Sequence, residues 1–194
     1  MGKKYQELTS AHIDFIGSQK VFFCATAAAD GRVNVSPKGG DSLRILGPNR
    51  VVWLNLTGSG NETAAHLLQA PRMTLMFCAF EAEPKILRLY GTARTITPAD
   101  AQWDELHALF TPRAGARQIF DLDIDLVQSS CGFGVPYFDY AGDRDALRQW
   151  SEEQGEAGIR EYWRMKNATS VDGLDTGILL QAGEPPESSG ADEA

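Results

Sequence analysis

The stretch Val51-Val52-Trp53-Leu54-Asn55-Leu56-Thr57-Gly58-Ser59-Gly60-Asn61-Glu62-Thr63-Ala64-Ala65-His66 constrains this chain more than any other. An apolar, β-branched strand empties into a glycine turn and then into a helix. That is the layout in which backbone N–H groups and a helix N-terminus gather around an anion. Glycine brings backbone close to a ligand without a Cβ in the way, and Ser59, Asn61 and Thr63 add short polar side chains. Asn61 is placed to cap the helix, whose apolar face is Ala64, Leu67 and Leu68. No lysine follows the second glycine and no third glycine falls at the Rossmann spacing, so neither the nucleotide-kinase loop nor the dinucleotide fingerprint is present. Two readings stand at this level: a phosphate cradle, or an ordinary turn with a helix cap.

A chain of 194 residues has the length for one domain with a substantial core. Its formal charge of −8 weighs against a broad electrostatic footprint for nucleic acid or an anionic membrane, while leaving room for a local basic pocket. No apolar run approaches the length that spans a bilayer, and residues 1–8 lack the apolar core of a signal peptide, so the expected location is cytoplasmic. Cys24, Cys78 and Cys131 are widely spaced, and no two of His12, His66 and His107 lie within four residues of each other, so no metal constellation is expected. Cys24 and Cys78 sit in apolar runs and read as buried thiols.

Along the chain, residues 8–17 read as a short helix capped by Thr9 or Ser10, with His12 a surface or packing residue. Residues 20–27 form an apolar strand, Asp30-Gly31 a hairpin turn, and residues 32–38 alternate Val33 and Val35 with Asn34 and Ser36. Further strands are predicted over residues 43–46, 50–56, 72–80 and 85–96, with a crossing helix over 62–69. Tight turns, one crossing helix and no βαβ rhythm favour an antiparallel barrel. A helix starts at Thr97-Pro98-Ala99-Asp100 and carries Trp103, Leu106, His107 and Phe110 on its apolar face. Leu122, Ile124 and Leu126 alternate with Asp121, Asp123 and Asp125, a strand whose aspartates form a solvated face. Cys131-Gly132-Phe133-Gly134-Val135-Pro136-Tyr137-Phe138 is either a close approach to a planar ligand or an aromatic corner packed on the barrel. Helices are predicted around 143–154 and 156–166, and residues 181–194 read as a disordered acidic tail.

The segments Arg32-Val33-Asn34-Val35-Ser36-Pro37-Lys38-Gly39, Trp53-Leu54-Asn55-Leu56, Gly58-Ser59-Gly60-Asn61-Glu62-Thr63 and Ile86-Leu87-Arg88-Leu89-Tyr90-Gly91, with the strand over 72–80, follow one another in a telling order. Together they resemble the FMN-binding split barrels of the pyridoxamine 5′-phosphate oxidase-like superfamily, over about residues 8–110. Cys131 to Pro136, Lys166-Asn167-Ala168 and Val171-Asp172-Gly173-Leu174 are similar to the extension of a narrower subgroup. The resemblance implies a mainly β, α+β fold: an antiparallel six-stranded split β-barrel in a single domain over residues 1–180, with a helical extension at about 140–170. It also implies FMN held noncovalently between the two subunits of a homodimer. Carried onto this chain, Lys38 is the phosphate cation, and Trp53, Leu54 and Asn55 contact the ring or ribityl chain. Ser59, Gly60, Asn61 and Thr63 occupy the phosphate turn, and strand geometry adds Arg88.

Two departures refine this expectation. Where the oxidases place a Ser-Arg/Lys-Lys triplet, this chain has Asn61-Glu62-Thr63, so backbone amides of residues 59–63, aided by Lys38 and Arg88, would have to stabilise the dianion. Where the oxidases hold the vitamin phosphate with an arginine and a histidine on a closing strand, this chain has Thr176-Gly177-Ile178-Leu179-Leu180 and the acidic tail. The resemblance therefore implies an FMN-dependent oxidoreductase acting on a small molecule other than pyridoxamine phosphate, with neither nucleic acid nor membrane as partner. A flavin carrier or redox sensor without turnover is a second reading. A haem or deazaflavin binder on the same barrel, with His66 or His107 as axial ligand, is a third. No catalytic residue is named, since no Ser–His–Asp or Cys–His arrangement emerges.

Overall fold

A computed structural model describes residues 2–181. Its centre is one antiparallel sheet of eight strands. In chain order they are β1 (Lys3–Tyr5), β2 (Val21–Thr26), β3 (Asn34–Gly39), β4 (Leu43–Gly47), β5 (Arg50–Leu56), β6 (Arg72–Cys78), β7 (Lys85–Ile96) and β8 (Ala116–Cys131). The spatial order is β3-β2-β6-β7-β8-β5-β4, with β1 beside the far end of β8. The sheet curls into a split barrel, as expected, but with more than six strands. One of the additions, β1, is only three residues long, too short to show a period of two, and it forms because β8 extends far enough to pair with it.

The curl has a sequence cause at the β7–β8 pair, whose register shifts between Tyr90 and Gly91. A bulge of this kind bends and twists a sheet. Gly91 permits it, because a Cβ there would lie 1.9 Å from the carbonyl oxygen of Asp123. Inside the curl, Phe22, Trp53, Leu75, Phe77, Leu87, Leu89, Phe120 and Leu122 form the core, with Ala64 and Leu67 of the crossing helix α2 (Glu62–Gln69) against them. Cys24 and Cys78 are buried thiols and Cys131 is exposed.

α1 (Ser10–Ser18) is capped by Thr9, and His12 completes a capping box while its ring meets Tyr5 edge to face. The helix expected from Thr97 is shorter: Asp100 folds back onto the Thr97 N–H and hydroxyl, and α3 covers only Trp103–His107. The alternating aspartates of β8 are not all on a solvated face. Asp123 and Asp125 are exposed, but Asp121 is 2% exposed and accepts hydrogen bonds from Arg50 at 2.9 Å and Arg94 at 2.8 Å. Burial alone would raise the Asp121 carboxyl; the two arginines outweigh it and hold it below the ordinary range.

Beyond β8, an irregular stretch leads to α4 (Ala146–Tyr162), broken at Gly155 with φ of 62°, which separates the two helices expected here. A π-helical turn (Trp163–Asn167) and a short α5 (Ile178–Gln181) follow. The tail expected from residue 181 lies, beyond Gln181, outside the described residues. No described helix is long and apolar enough to cross a membrane.

Candidate functional site

β3 is an edge strand and its two faces are unequal. Val35, and Val33 just before the strand, are 61% and 70% exposed, while Asn34, Ser36 and Lys38 turn inward. They face the end of β5 and the glycine turn across a cleft of about 390 Å³. Its walls include Lys38, Leu54, Asn55, Gly58, Ser59, Gly60, Asn61, Thr63 and Arg117. Local patterning explains each wall: alternation along β3 points every second side chain inward, and β5 delivers the turn at its C-terminal end, where α2 begins.

The N–H groups of Gly58 through Thr63 donate to no group among the described residues, whereas Ala64 and Ala65 already bond back to the Asn61 carbonyl. Such a run of free donors at a helix N-terminus is an anion cradle. Asn61 occupies the cap position but does not cap through its side chain. Its Oδ1 accepts from Asn55 at 3.2 Å, and its buried Nδ2 has no partner. Thr63 is buried, with its hydroxyl accepting from Asn34 at 3.2 Å and lying 3.9 Å from the Cys24 sulfur.

Lys38 forms no ion pair among the described residues. Its Nζ lies 5.1 Å from the centre of the Trp53 ring, and burial lowers its affinity for a proton, with a smaller push from Arg117. Arg117 went unnoticed in the sequence. It is 3% exposed, donates to Asn167 Oδ1 at 2.7 Å and to the Gly60 carbonyl at 2.8 Å, and its Nε has no partner. Burial pushes its guanidinium down to about 9. Its signal was hidden because a lone arginine in the run Ala116-Arg117-Gln118-Ile119 reads as a strand residue until the register of β8 against β5 is known.

Of the residues expected at the site, Lys38, Leu54, Asn55, Ser59, Gly60, Asn61 and Thr63 converge on the cleft. Trp53 does not line it. Side chains alternate along β5, and the Trp53 indole faces the core, 4.6 Å from the Phe120 ring. Arg88 is also elsewhere: it sits on β7, with β8 between it and β5, and donates to the Ser130 hydroxyl at 3.2 Å. Glu62, in the glycine turn, also lines the cleft, and its carboxylate accepts the Val171 N–H at 3.1 Å. His66 is buried with Nδ1 3.1 Å from the Thr26 hydroxyl, and His107 stacks on Trp103; neither lines the cleft. Phe133, Tyr137 and Phe138 are exposed and away from it.

The sequence profile of the family described as pyridoxamine 5′-phosphate oxidase matches residues 8–131, more than half of the chain. The chain belongs to the pyridoxamine 5′-phosphate oxidase family. A family member of Aspergillus flavus, the pyridoxamine 5′-phosphate oxidase family protein ustO, is 37% identical over 193 residues, spanning 88% of this chain and 76% of the relative. Among solved structures, a Group A Streptococcus HupZ variant superposes with a TM-score of 0.51 at 18% identity, covering 63% of this chain and 98% of that one. A Clostridium acetobutylicum protein related to a Bacillus subtilis general stress protein gives 0.50 at 13% identity, covering 62% and 86%. These structures share the split-barrel fold. Within the pyridoxamine 5′-phosphate oxidase family frame, the cleft of this chain holds two cations, Lys38 on β3 and Arg117 on β8, that form no ion pair with an acid among the described residues.

Proposed function

We propose that this chain binds FMN noncovalently in the β3–β5 cleft and serves as an FMN-dependent oxidoreductase for a small molecule other than pyridoxamine phosphate. The observation that carries the reading is the run of N–H groups from Gly58 to Thr63, without acceptors among the described residues, lining the same cleft as Lys38, which has no ion-pair partner among them. Dipolar donors and one cation suit a phosphate monoester. The unpartnered Nδ2 of Asn61 supplies a further donor in the same cleft. Leu54 and Leu56 provide apolar wall for the planar part of the ligand. FMN bound there would supply the electron-transfer chemistry, while the chain orients it and sets the polarity around it.

A homodimer with FMN at the subunit interface is part of this proposal. The family resemblance supports it, as do the exposed Val35 on the outer face of edge strand β3 and the exposed Val33 just before it, beside the cleft. Pyridoxamine phosphate is disfavoured because it would bring a second dianion into a cleft with two basic side chains, one residue of whose phosphate turn is the acid Glu62.

The absorption spectrum of the purified protein, followed by titration with FMN and riboflavin, tests the reading. Flavin bands and tighter binding of FMN than of riboflavin are expected; a Soret band without flavin, or no affinity for either flavin, would overturn it. Anaerobic mixing of the FMN-loaded protein with pyridoxamine phosphate or pyridoxine phosphate should leave the flavin oxidised. Rapid bleaching by either would show that a second phosphate site exists.

A further inference from the structure

Glu62 stands where the oxidases carry a cation, and its carboxylate is engaged by the Val171 N–H, so the phosphate turn itself offers no positive side chain. The missing charge comes from a different strand. Arg117, on β8, reaches under the turn and is the only cation besides Lys38 among the described residues of the cleft wall. We infer that Arg117, held in place by Asn167 of the C-terminal extension, is the second cation of an anion site built for a phosphate dianion, and that Asn167 is its positioning residue. This rests on the FMN reading for the identity of the ligand, but not for the presence of the anion site.

The geometry supports the inference at three points. First, Arg117 meets no carboxylate among the described residues, and its buried Nε finds no acceptor among them. A buried guanidinium so placed is costly unless an anion compensates it. Second, Asn167 is fully buried and uses both ends of its amide. Its Oδ1 accepts from Arg117, and its Nδ2 donates to the Gly58 carbonyl at 2.9 Å. Third, the two turn carbonyls that are tied back, Gly58 to Asn167 and Gly60 to Arg117, fix the direction of the donors that follow them. In a trans peptide the C=O and the next N–H point in opposite directions. Drawing those carbonyls toward Arg117 and Asn167 therefore turns the N–H groups of Ser59 and Asn61 the other way, and these are among the donors left free.

The extension is anchored on both sides of this contact. Trp163 Nε1 donates to the Thr57 hydroxyl at 2.8 Å, the Thr176 hydroxyl donates to the Asn167 carbonyl at 2.5 Å, and Asp172 pairs with Arg32 ahead of β3. Residues 163–176 thus brace the anion end of the site, where Arg117, Lys38 and the turn meet.

The test compares FMN with riboflavin, which lacks the phosphate, by fluorescence titration of the full chain and its Arg117→Met and Asn167→Asp variants, alongside binding of inorganic pyrophosphate by calorimetry. Asn167→Asp keeps the size of the side chain but places a carboxylate against Arg117 and cancels its charge. Each variant is expected to weaken FMN by about tenfold or more, the loss of one charge-assisted contact, while riboflavin changes by less than about threefold on the same scale. Arg117→Lys, which keeps the charge but not the fork, should retain part of the preference. Equal losses of FMN and riboflavin in a protein that otherwise binds FMN well would overturn the role of Arg117 and leave the FMN reading standing. If the unsubstituted protein binds neither flavin yet holds pyrophosphate in a manner that Arg117→Met abolishes, the FMN reading falls and the anion site stands. Should Arg117→Met fail to fold, Asn167→Asp decides by the same comparison: an unchanged preference for FMN overturns the proposal.

Discussion

Two charges, the buried Asp121 and the half-buried Lys38, show how partners set the role of a residue. Asp121 is enclosed by Arg50 and Arg94, so it stabilises the fold. Its carboxyl is held low, so the contribution is present above the unfolded carboxylate pKa and is lost as pH falls through the folded value. Asp121→Asn should reduce stability by about 1.5–3 kcal/mol, toward the low end because both arginines are partly exposed. Chemical denaturation at neutral pH and at pH 3 measures it, and the variant should differ less from the parent at the lower pH. Lys38 is the opposite case, with no acid paired to it among the described residues. Burial lowers its pKa, so between the folded value and the unfolded one the unfolded chain binds more protons, and ligand-free stability should rise as pH climbs through that window. Lys38→Met should remove this rise. Lys38→Ala should weaken FMN by about tenfold to a hundredfold, the range for one charge-assisted contact, with riboflavin little affected; equal losses in a binding titration would make Lys38 structural.

At the scale of elements, the longest strands decide the shape. β7 and β8 pair along most of their length, and the shift at Gly91 sets where they bend. Gly91→Ala would drive a methyl group into the Asp123 carbonyl, which is backbone and cannot swing aside. A cost of about 3 kcal/mol or more is expected, at or above the upper end for overpacking, and it should appear as a fall in the thermal midpoint with loss of flavin affinity, because β8 carries Arg117. β5 and the turn after it were legible from patterning, since a strand, a glycine turn and a capped helix are each written locally. β5 and α2 keep the bounds predicted for them. α3 was not, because Asp100 engages Thr97 and uses its capping capacity in a turn.

For the whole molecule, curling brings β3 against the end of β5, although the two lie at opposite sides of the strand order. The cleft exists only because of that curl. Its open side and the exposed valines of β3 lead to the expectation of a homodimer, which light scattering at micromolar concentration checks; a strict monomer that still binds FMN tightly would exclude a shared site.

The sequence by itself determined the strand periods, the crossing helix, the glycine turn and the family to which the chain belongs, because these depend on neighbours a few residues apart. It also placed Lys38, Asn55, Asn61 and Thr63 at one site through the resemblance they carry. Tertiary structure alone decided that Trp53 faces the core, that Arg88 lies beyond β8, that Asp121 is buried between two arginines, and that Arg117 meets Asn167 fifty residues away. Side-chain direction inverts with a one-residue change of register, and whether a charge is paired depends on strands far apart in the chain. That is why Arg117, with no motif of its own in the sequence, stands beside the glycine turn in the fold.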